Sequence, residues 1–346
     1  MQHLRIDGSL GEGGGQILRS AVSFSAIMGL PVEVVNIRAG RPNPGLRPQH
    51  LSAVKAVADL FSAKVENLKI GSDWIRFAPT RFSGASAKID IGTAGSIPMV
   101  LLTVIPAVSL SGTGVHIEIA GGTDVKASPT IDYLRHVVAA AFRIIGIRFD
   151  IEVIKRGYYP KGGGLVRVEI SSCKSPETVD LLNIRSLEPK VASVCSSLPK
   201  HVAERQISSA LIWLEKSGVK CNSYSASFES SLSPGSSALV YSVSDFGPYI
   251  GGDSIGEISK RAEDVGQEAA QRFLESHLEG MAVDPFLSDM LVIPLALSKG
   301  RSRFRVARVT AHLETNLVVA SKMVGCSYKI NRAEKGYIVE IEGARI

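Results

Sequence analysis

The sequence predicts an α/β fold of the layered α+β kind: three repeated units of two helices and four strands form one large domain, and a smaller α/β domain is inserted into it. Length is the first reason, because 346 residues exceed one average core and suggest about two domains. A pattern that occurs three times is the second, and a break in its spacing is the third. Composition agrees, since 45% hydrophobic residues with 33 glycines and 16 prolines describe a folded chain rather than a disordered one.

In the first unit a helix is expected over 14–28 and a strand over 32–38; a loop then passes through Arg41 and Pro44 to a helix over 48–63. The second unit repeats this as a helix over 95–110, a strand over 115–120, a loop with Gly121 and Gly122, and a helix over 130–145. The third reads as a helix over 283–297, a strand over 303–309, a loop over 310–314 and a helix ending near Val324. Two short strand patterns follow each, so the recurring part is helix, strand, helix, strand, strand. Each unit can bury one sheet face under its pair of helices.

Units one and two stand about 83 residues apart and units two and three about 189, so roughly 106 extra residues intervene. The large domain is therefore expected over 1–182 and 279–346, and the inserted one over 183–278. The inserted stretch has its own pattern: strands over 190–196, 220–228 and 238–243, helices over 199–216 and 255–277, and a serine-rich loop over 230–237.

A formal charge of +6 permits binding to a polyanion such as RNA without requiring it. Cys173, Cys195, Cys221 and Cys326 form no Cys-x-x-Cys pair, which fits a reducing interior and argues against a zinc ribbon or a disulfide framework. No apolar signal segment is read at residues 1–7. The longest apolar run, 97–110, is broken by Pro98 and Pro106 and is shorter than the ~20 residues of a spanning helix. A cytoplasmic protein without a membrane partner is expected.

The densest chemical signal is Gly11-Glu12-Gly13-Gly14-Gly15-Gln16-Ile17-Leu18-Arg19. So few Cβ atoms let backbone amides crowd a ligand, and the free N–H groups of the following helix favour an anion there. Glu12 then needs a counter-charge, either an arginine such as Arg19 or a divalent metal carried in with a polyphosphate. No Walker Gly-Lys-Ser/Thr occurs, and Gln16 stands where a dinucleotide loop has its last glycine. A tight turn without a ligand would use the same glycines.

His312 follows a strand and stands at the mouth of a helix, where backbone dipoles attract a phosphate. A neutral imidazole there could attack phosphorus and hold a nucleotidyl group as a phosphoramidate; a histidine merely bonded in a strand-end turn is the plainer alternative. Arg301, Arg303 and Arg305 alternate along the preceding strand, a face that suits either a phosphate backbone or a solvated sheet edge. Three arginines (Arg38, Arg41, Arg47), three prolines and His50 crowd residues 38–50, so stiff backbone could hold guanidinium groups ready for phosphate. Asp289 could orient a histidine or bind a metal.

Taken together, the motifs resemble the RNA 3′-terminal phosphate cyclases nearly end to end. The marks are the glycine loop with Arg19, Ile37 to Arg41 with Pro44-Gly45-Leu46 and Gln49-His50, Gly121-Gly122-Thr123-Asp124, Tyr159-Pro160 with Gly162-Gly163-Gly164, and His312 with Thr315-Asn316. The resemblance implies the three-repeat domain with its insertion, ATP as co-substrate and a divalent metal, Mg or Mn. It implies a histidine that becomes adenylylated, His312 by position, and transfer of the adenylyl group to an RNA 3′ phosphate. The vicinal 2′-hydroxyl then closes a 2′,3′-cyclic phosphate and releases AMP. It gives Glu12 a metal and phosphate role, Arg19 and Arg41 phosphate contacts, Gln49 and His50 places in the pocket, and Phe286, Leu287, Ser288 and Asp289 the nucleotide site, Phe286 stacking on the base. Where the family pattern carries glutamine, this chain has Leu102 and Met290. RNA 3′ ends and ATP are the implied partners, and a homodimer is left open. A cyclase-like RNA-processing factor without nucleotidyl transfer, and an enolpyruvyl-type transferase of similar repeats, are the competing readings; neither gives His312 a task.

Overall fold

The first sheet is laid down by β1 (Leu4–Asp7), then α1 (Gln16–Met28), β2 (Val32–Val35), α2 (Pro48–Leu60), β3 (Lys64–Glu66) and β4 (Ile75–Ala78). Its strand order is β1-β2-β4-β3, with β1 and β2 parallel and the other neighbours antiparallel. The structure, a computed structural model, describes residues 3–182 and 187–344. The expected domain boundary at Asn183 lies outside the described residues, as do residues 1, 2, 345 and 346.

The second sheet repeats that connectivity with β5 (Ser86–Asp90), α3 (Ile97–Ser109), β6 (Val115–Gly121), α4 (Ile131–Tyr133), a π-helical turn (Leu134–Val138), α5 (Ala139–Ile144), β7 (Phe149–Lys155) and β8 (Gly164–Ile170). Its order is β5-β6-β8-β7, again with the first two strands parallel. Ser96 starts α3 by accepting the Met99 N–H, and Pro98 in the first turn forfeits a donor that would be orphaned anyway.

A third sheet begins with β9 (Asp180–Leu181) and is then interrupted. The chain makes β10 (Lys190–Ser196), α6 (His201–Lys216), β11 (Ser223–Glu229), β12 (Gly235–Val243), β13 (Tyr249–Ile255) and α7 (Ala262–His277), with strand order β11-β10-β12-β13. Val191, Ile207, Leu214, Val240, Val265 and Phe273 form a hydrophobic cluster of their own there, apart from the main one. The helix expected over 255–277 starts only at Ala262, and residues 249–255 are a fourth strand instead. Gly252 explains the strand: a Cβ there would come within 2.4 Å of the Phe273 backbone nitrogen, so α7 lies directly on it.

The interrupted sheet is then completed. After α8 (Pro285–Met290) and α9 (Val292–Ala296), β14 (Arg301–Val306) pairs parallel with β9, and α10 (Ala311–Val324), β15 (Ser327–Arg332) and β16 (Tyr337–Glu342) follow. The order β9-β14-β16-β15 matches the other two sheets. One helix was expected over 283–297; two occur, because Pro294 has no N–H to give the Met290 carbonyl and its ring crowds that turn. Helix α1 packs against α2, α3 and α10, and the Ser20 hydroxyl donates to Asn316 at 2.5 Å across the α1–α10 seam. That seam brings three helix starts, and the loops before them, to one place.

Candidate active site

The glycine loop is shaped by what its missing side chains would hit. Gly11 and Gly13 take left-handed backbone with φ of 55° and 57°. A Cβ on Gly14 would lie 2.2 Å from Glu12 Oε1, and one on Gly15 would lie 2.1 Å from His50 Nε2. Helix α1 opens directly after Gly15 without a side-chain cap, leaving its first N–H groups free for a ligand. Gly40 donates its N–H to Gly13 at 3.1 Å, so the arginine-proline loop is laced to the glycine loop.

The partner of Glu12 is Arg41, at 2.5 Å, and not Arg19. Arg38 closes its own loop by donating to the Asn43 and Gly45 carbonyls at 2.5 and 3.0 Å, which holds Arg41 in position. Arg19, only 6% exposed, donates to Gln16 Oε1 at 2.5 Å; burial lowers its pKa to about 10, against the pull of Asp289 and Glu12, so it stays charged at neutral pH.

His312 sits in the first turn of α10, whose cap is the Thr310 hydroxyl accepting the Leu313 N–H at 3.0 Å. Its Nδ1 lies 3.0 Å from Glu12 Oε1 but off the axis that an aligned hydrogen bond needs. That contact raises the His312 pKa, burial opposes it, and the Asp289 charge adds to it. For Glu12, burial alone would raise the pKa; His312, Arg41 and Arg19 overcome burial and leave it low. Asp289 is buried and pushed up to about 7 by desolvation, which the charges of His312 and Arg19 only partly offset. Asn316, one turn beyond His312, donates to the Asp289 carbonyl at 2.7 Å and so fixes α8 against α10.

His50 accepts the Arg47 N–H at Nδ1 (3.3 Å), and burial among Arg19, Arg38 and Arg47 drives its pKa down to about 3. It is a neutral donor at Nε2, facing Gly15. Gln49 accepts the Ser96 N–H at 3.2 Å from the start of α3.

Glu12, Arg19, Arg41, Gln49, His50, Phe286, Asp289 and His312 all line one cavity of about 690 Å³. Two expected members do not: Leu287 and Ser288 are fully buried on the inner side of α8, and the Ser288 hydroxyl turns back to the Pro285 carbonyl. Phe286, 39% exposed, has the guanidinium groups of Arg272 and Arg308 at 5.9 and 5.7 Å from its ring centroid. Leu102 and Met290 make an apolar part of the wall.

Other motifs have structural tasks. Arg301 pairs with Glu340 and Arg303 with Asp180 across the third sheet, away from the cavity; β14 is flanked by β9 and β16, so the stripe lies within the sheet and not on the solvated edge offered as one reading. Asp124 is buried against Arg156, which also holds Asp132. Nothing local in the sequence points to Asp253, Ser254, Lys260, Glu268 and Arg272, which complete the cavity from the stretch between β9 and α8. Only their packing, through Asp253 accepting the Thr130 N–H at 2.7 Å and Lys126 pairing with Glu257 at 2.8 Å, reveals them.

The fold is a mixed α/β one, and its cavity sets a glycine loop and arginines, Arg19 among them buried, beside a histidine. Comparison with known proteins narrows this. The family model for RNA 3′-terminal phosphate cyclase matches residues 10–330, and this chain belongs to that family. A relative named RNA 3′-terminal phosphate cyclase from Pyrobaculum neutrophilum is 42% identical over 342 residues, covering 98% of both chains. One so named from Pyrococcus furiosus is 42% identical over 96% of this chain and 97% of its own, and one from Desulfurococcus amylolyticus 44% identical over 92% and 91%. Among solved structures, the enolpyruvyl transferase NikO from Streptomyces tendae aligns with a TM-score of 0.38 and 7% identity over 98% of this chain and 48% of that one, too slight a likeness to weigh.

Proposed function

We propose that this chain uses ATP to convert an RNA 3′-terminal phosphate into a 2′,3′-cyclic phosphodiester through a covalent His312–AMP. The observation that carries this reading is His312 Nδ1 held 3.0 Å from Glu12 inside the arginine-lined cavity. Glu12 engages one ring nitrogen and leaves Nε2 for chemistry. Nε2 attacks the α-phosphorus, a nitrogen–phosphorus bond forms, and diphosphate departs. An oxygen of the RNA 3′ phosphate then displaces the histidine, giving an RNA-adenylate. The 2′-hydroxyl attacks the terminal phosphorus, its proton is lost, and AMP leaves. Arg19 and Arg41 supply fixed positive charge for these phosphates.

Glu12 Oε1 lies 3.0 Å from His312 Nδ1 but off the hydrogen-bond axis, which leaves it room for one contact to a divalent ion such as Mg or Mn. Among the described residues no group of three or more His, Cys, Asp and Glu is placed to hold a metal, so the remaining contacts would come from phosphate and water. When bound, such an ion offsets triphosphate charge. We also propose that residues 183–278 are an inserted domain that walls the nucleotide cavity, and that the protein works in the cytoplasm. Among the described residues no helix is long and apolar enough to cross a membrane.

The test is incubation with α-labelled ATP and a divalent metal. Acid-labile label that survives denaturation and is lost in His312→Ala is expected. Absence of label with every metal would favour a cyclase-like RNA-processing factor that transfers nothing.

A further inference from the structure

We propose that Tyr159 and Lys161 form a docking platform for the single-stranded RNA leading to the reacting 3′ end, an inference that rests on the cyclase reading above. Two consecutive tyrosines make the contrast. Tyr158 is buried, its hydroxyl 3.2 Å from Ser196 Oγ and its ring so close to Gly235 that a Cβ there would come within 2.1 Å. That side chain pins the loop to the inserted sheet. Tyr159, 78% exposed, has no comparable packing task, and Lys161 is exposed beside it.

The loop that presents them is held from two sides. Gly162 donates to the Tyr158 carbonyl at 2.8 Å, and a Cβ on it would meet the Thr93 carbonyl at 2.8 Å. The Lys161 N–H donates to Ser233 Oγ at 3.2 Å. A rigid aromatic loses little conformational freedom on binding, and any base offers it a face to stack on while lysine tracks the phosphates. A short run of contacts joins the platform to the cavity wall: Gly162 packs on Thr93 and Ala94, and two residues further Ser96 donates to Gln49, which lines the cavity. RNA whose last phosphate lies near Gln49 would have its preceding nucleotides in reach of this loop.

The experiment compares a long single-stranded RNA and a dinucleotide, both bearing a 3′ phosphate, with wild type, Tyr159→Ala, Tyr159→Phe and Lys161→Ala. For Tyr159→Ala, KM for the long RNA rises about tenfold, the worth of one stacked base. Its kcat, its KM for the dinucleotide and the adenylylation of His312 stay unchanged. Tyr159→Phe recovers the wild-type KM, and Lys161→Ala weakens the salt dependence of binding. Anisotropy with labelled long RNA reads the same affinity without ATP, so a wild type that binds but does not cyclise sinks the cyclase reading and leaves this one standing. Unchanged RNA affinity in Tyr159→Ala, equal loss with the dinucleotide, or a fall in adenylylation would overturn the platform.

Discussion

At the scale of single residues, the site works by setting charge states through burial and neighbours. His312 and Glu12 stabilise each other's charged forms, whereas His50, packed behind Gly15, is kept neutral first by exclusion of water and then by three arginines. Linkage makes the His50 effect measurable. In the unfolded chain it takes a proton near its ordinary 6.5, in the folded one only near about 3. Stability conferred by the neutral ring is thus complete above 6.5 and is lost progressively as pH falls toward 3. Urea unfolding of wild type against His50→Gln between pH 7 and 5 is expected to show a steeper acid loss in the wild type, by up to about 1.4 kcal/mol per pH unit. Parallel slopes would mean His50 is protonated in the fold. The sequence made His50 and Arg41 visible through the crowded loop, but it offered Arg19 as the partner of Glu12, because Arg19 is nearer along the chain. Pairing across loops follows the fold and ignores chain distance.

At the scale of elements, loops and helix starts position these charges. Gly14 needs no unusual backbone, so Gly14→Ala should fold; its methyl would displace Arg41 and Glu12, and with Glu12 the carboxylate that holds His312. Label incorporation from ATP is expected to drop about a hundredfold, the cost of roughly 1 Å of misplacement, with the melting temperature nearly kept. An unfolded variant, or full adenylylation, would contradict this. Most helices and strands were legible from periodicity, since α1, α2, α3, α6 and α10 fall within a few residues of expectation. The exceptions have physical causes. Strand β13 carries Gly251-Gly252, and only packing shows why: α7 lies on Gly252, while Gly251 faces Tyr133 and Val137. The third-unit helix splits because of one proline nitrogen, and α8 turns Leu287 and Ser288 inward while presenting Phe286 and Asp289 to the cavity.

At the scale of the molecule, one carboxylate joins three parts of the chain. Asp284 accepts the Phe286 and Leu287 N–H groups at 2.9 Å, the Gly251 N–H at 2.9 Å and the Tyr133 hydroxyl at 2.7 Å. It thereby fastens α8 to the inserted strand β13 and to α4, with burial pushing its pKa up to about 6. Asp284→Ala is expected to cost about 3–5 kcal/mol in urea unfolding, because several buried donors lose their acceptor together. It should also weaken ATP binding, because Phe286 and Asp289 ride on the same helix. A loss below 1 kcal/mol would show that water replaces the carboxylate there. The sequence by itself predicted the layered α/β class that the fold shows, and it put forward the threefold pattern, the interruption and the histidine-arginine-glycine set as expectations, because periodicity and loop composition are local properties. Tertiary structure alone decided that Arg41 holds Glu12, that Leu287 and Ser288 face inward, and that Lys260, Glu268 and Arg272 from the interruption wall the cavity. Those outcomes depend on which surfaces meet when sheets and helices bury their apolar faces, and no local pattern encodes that meeting.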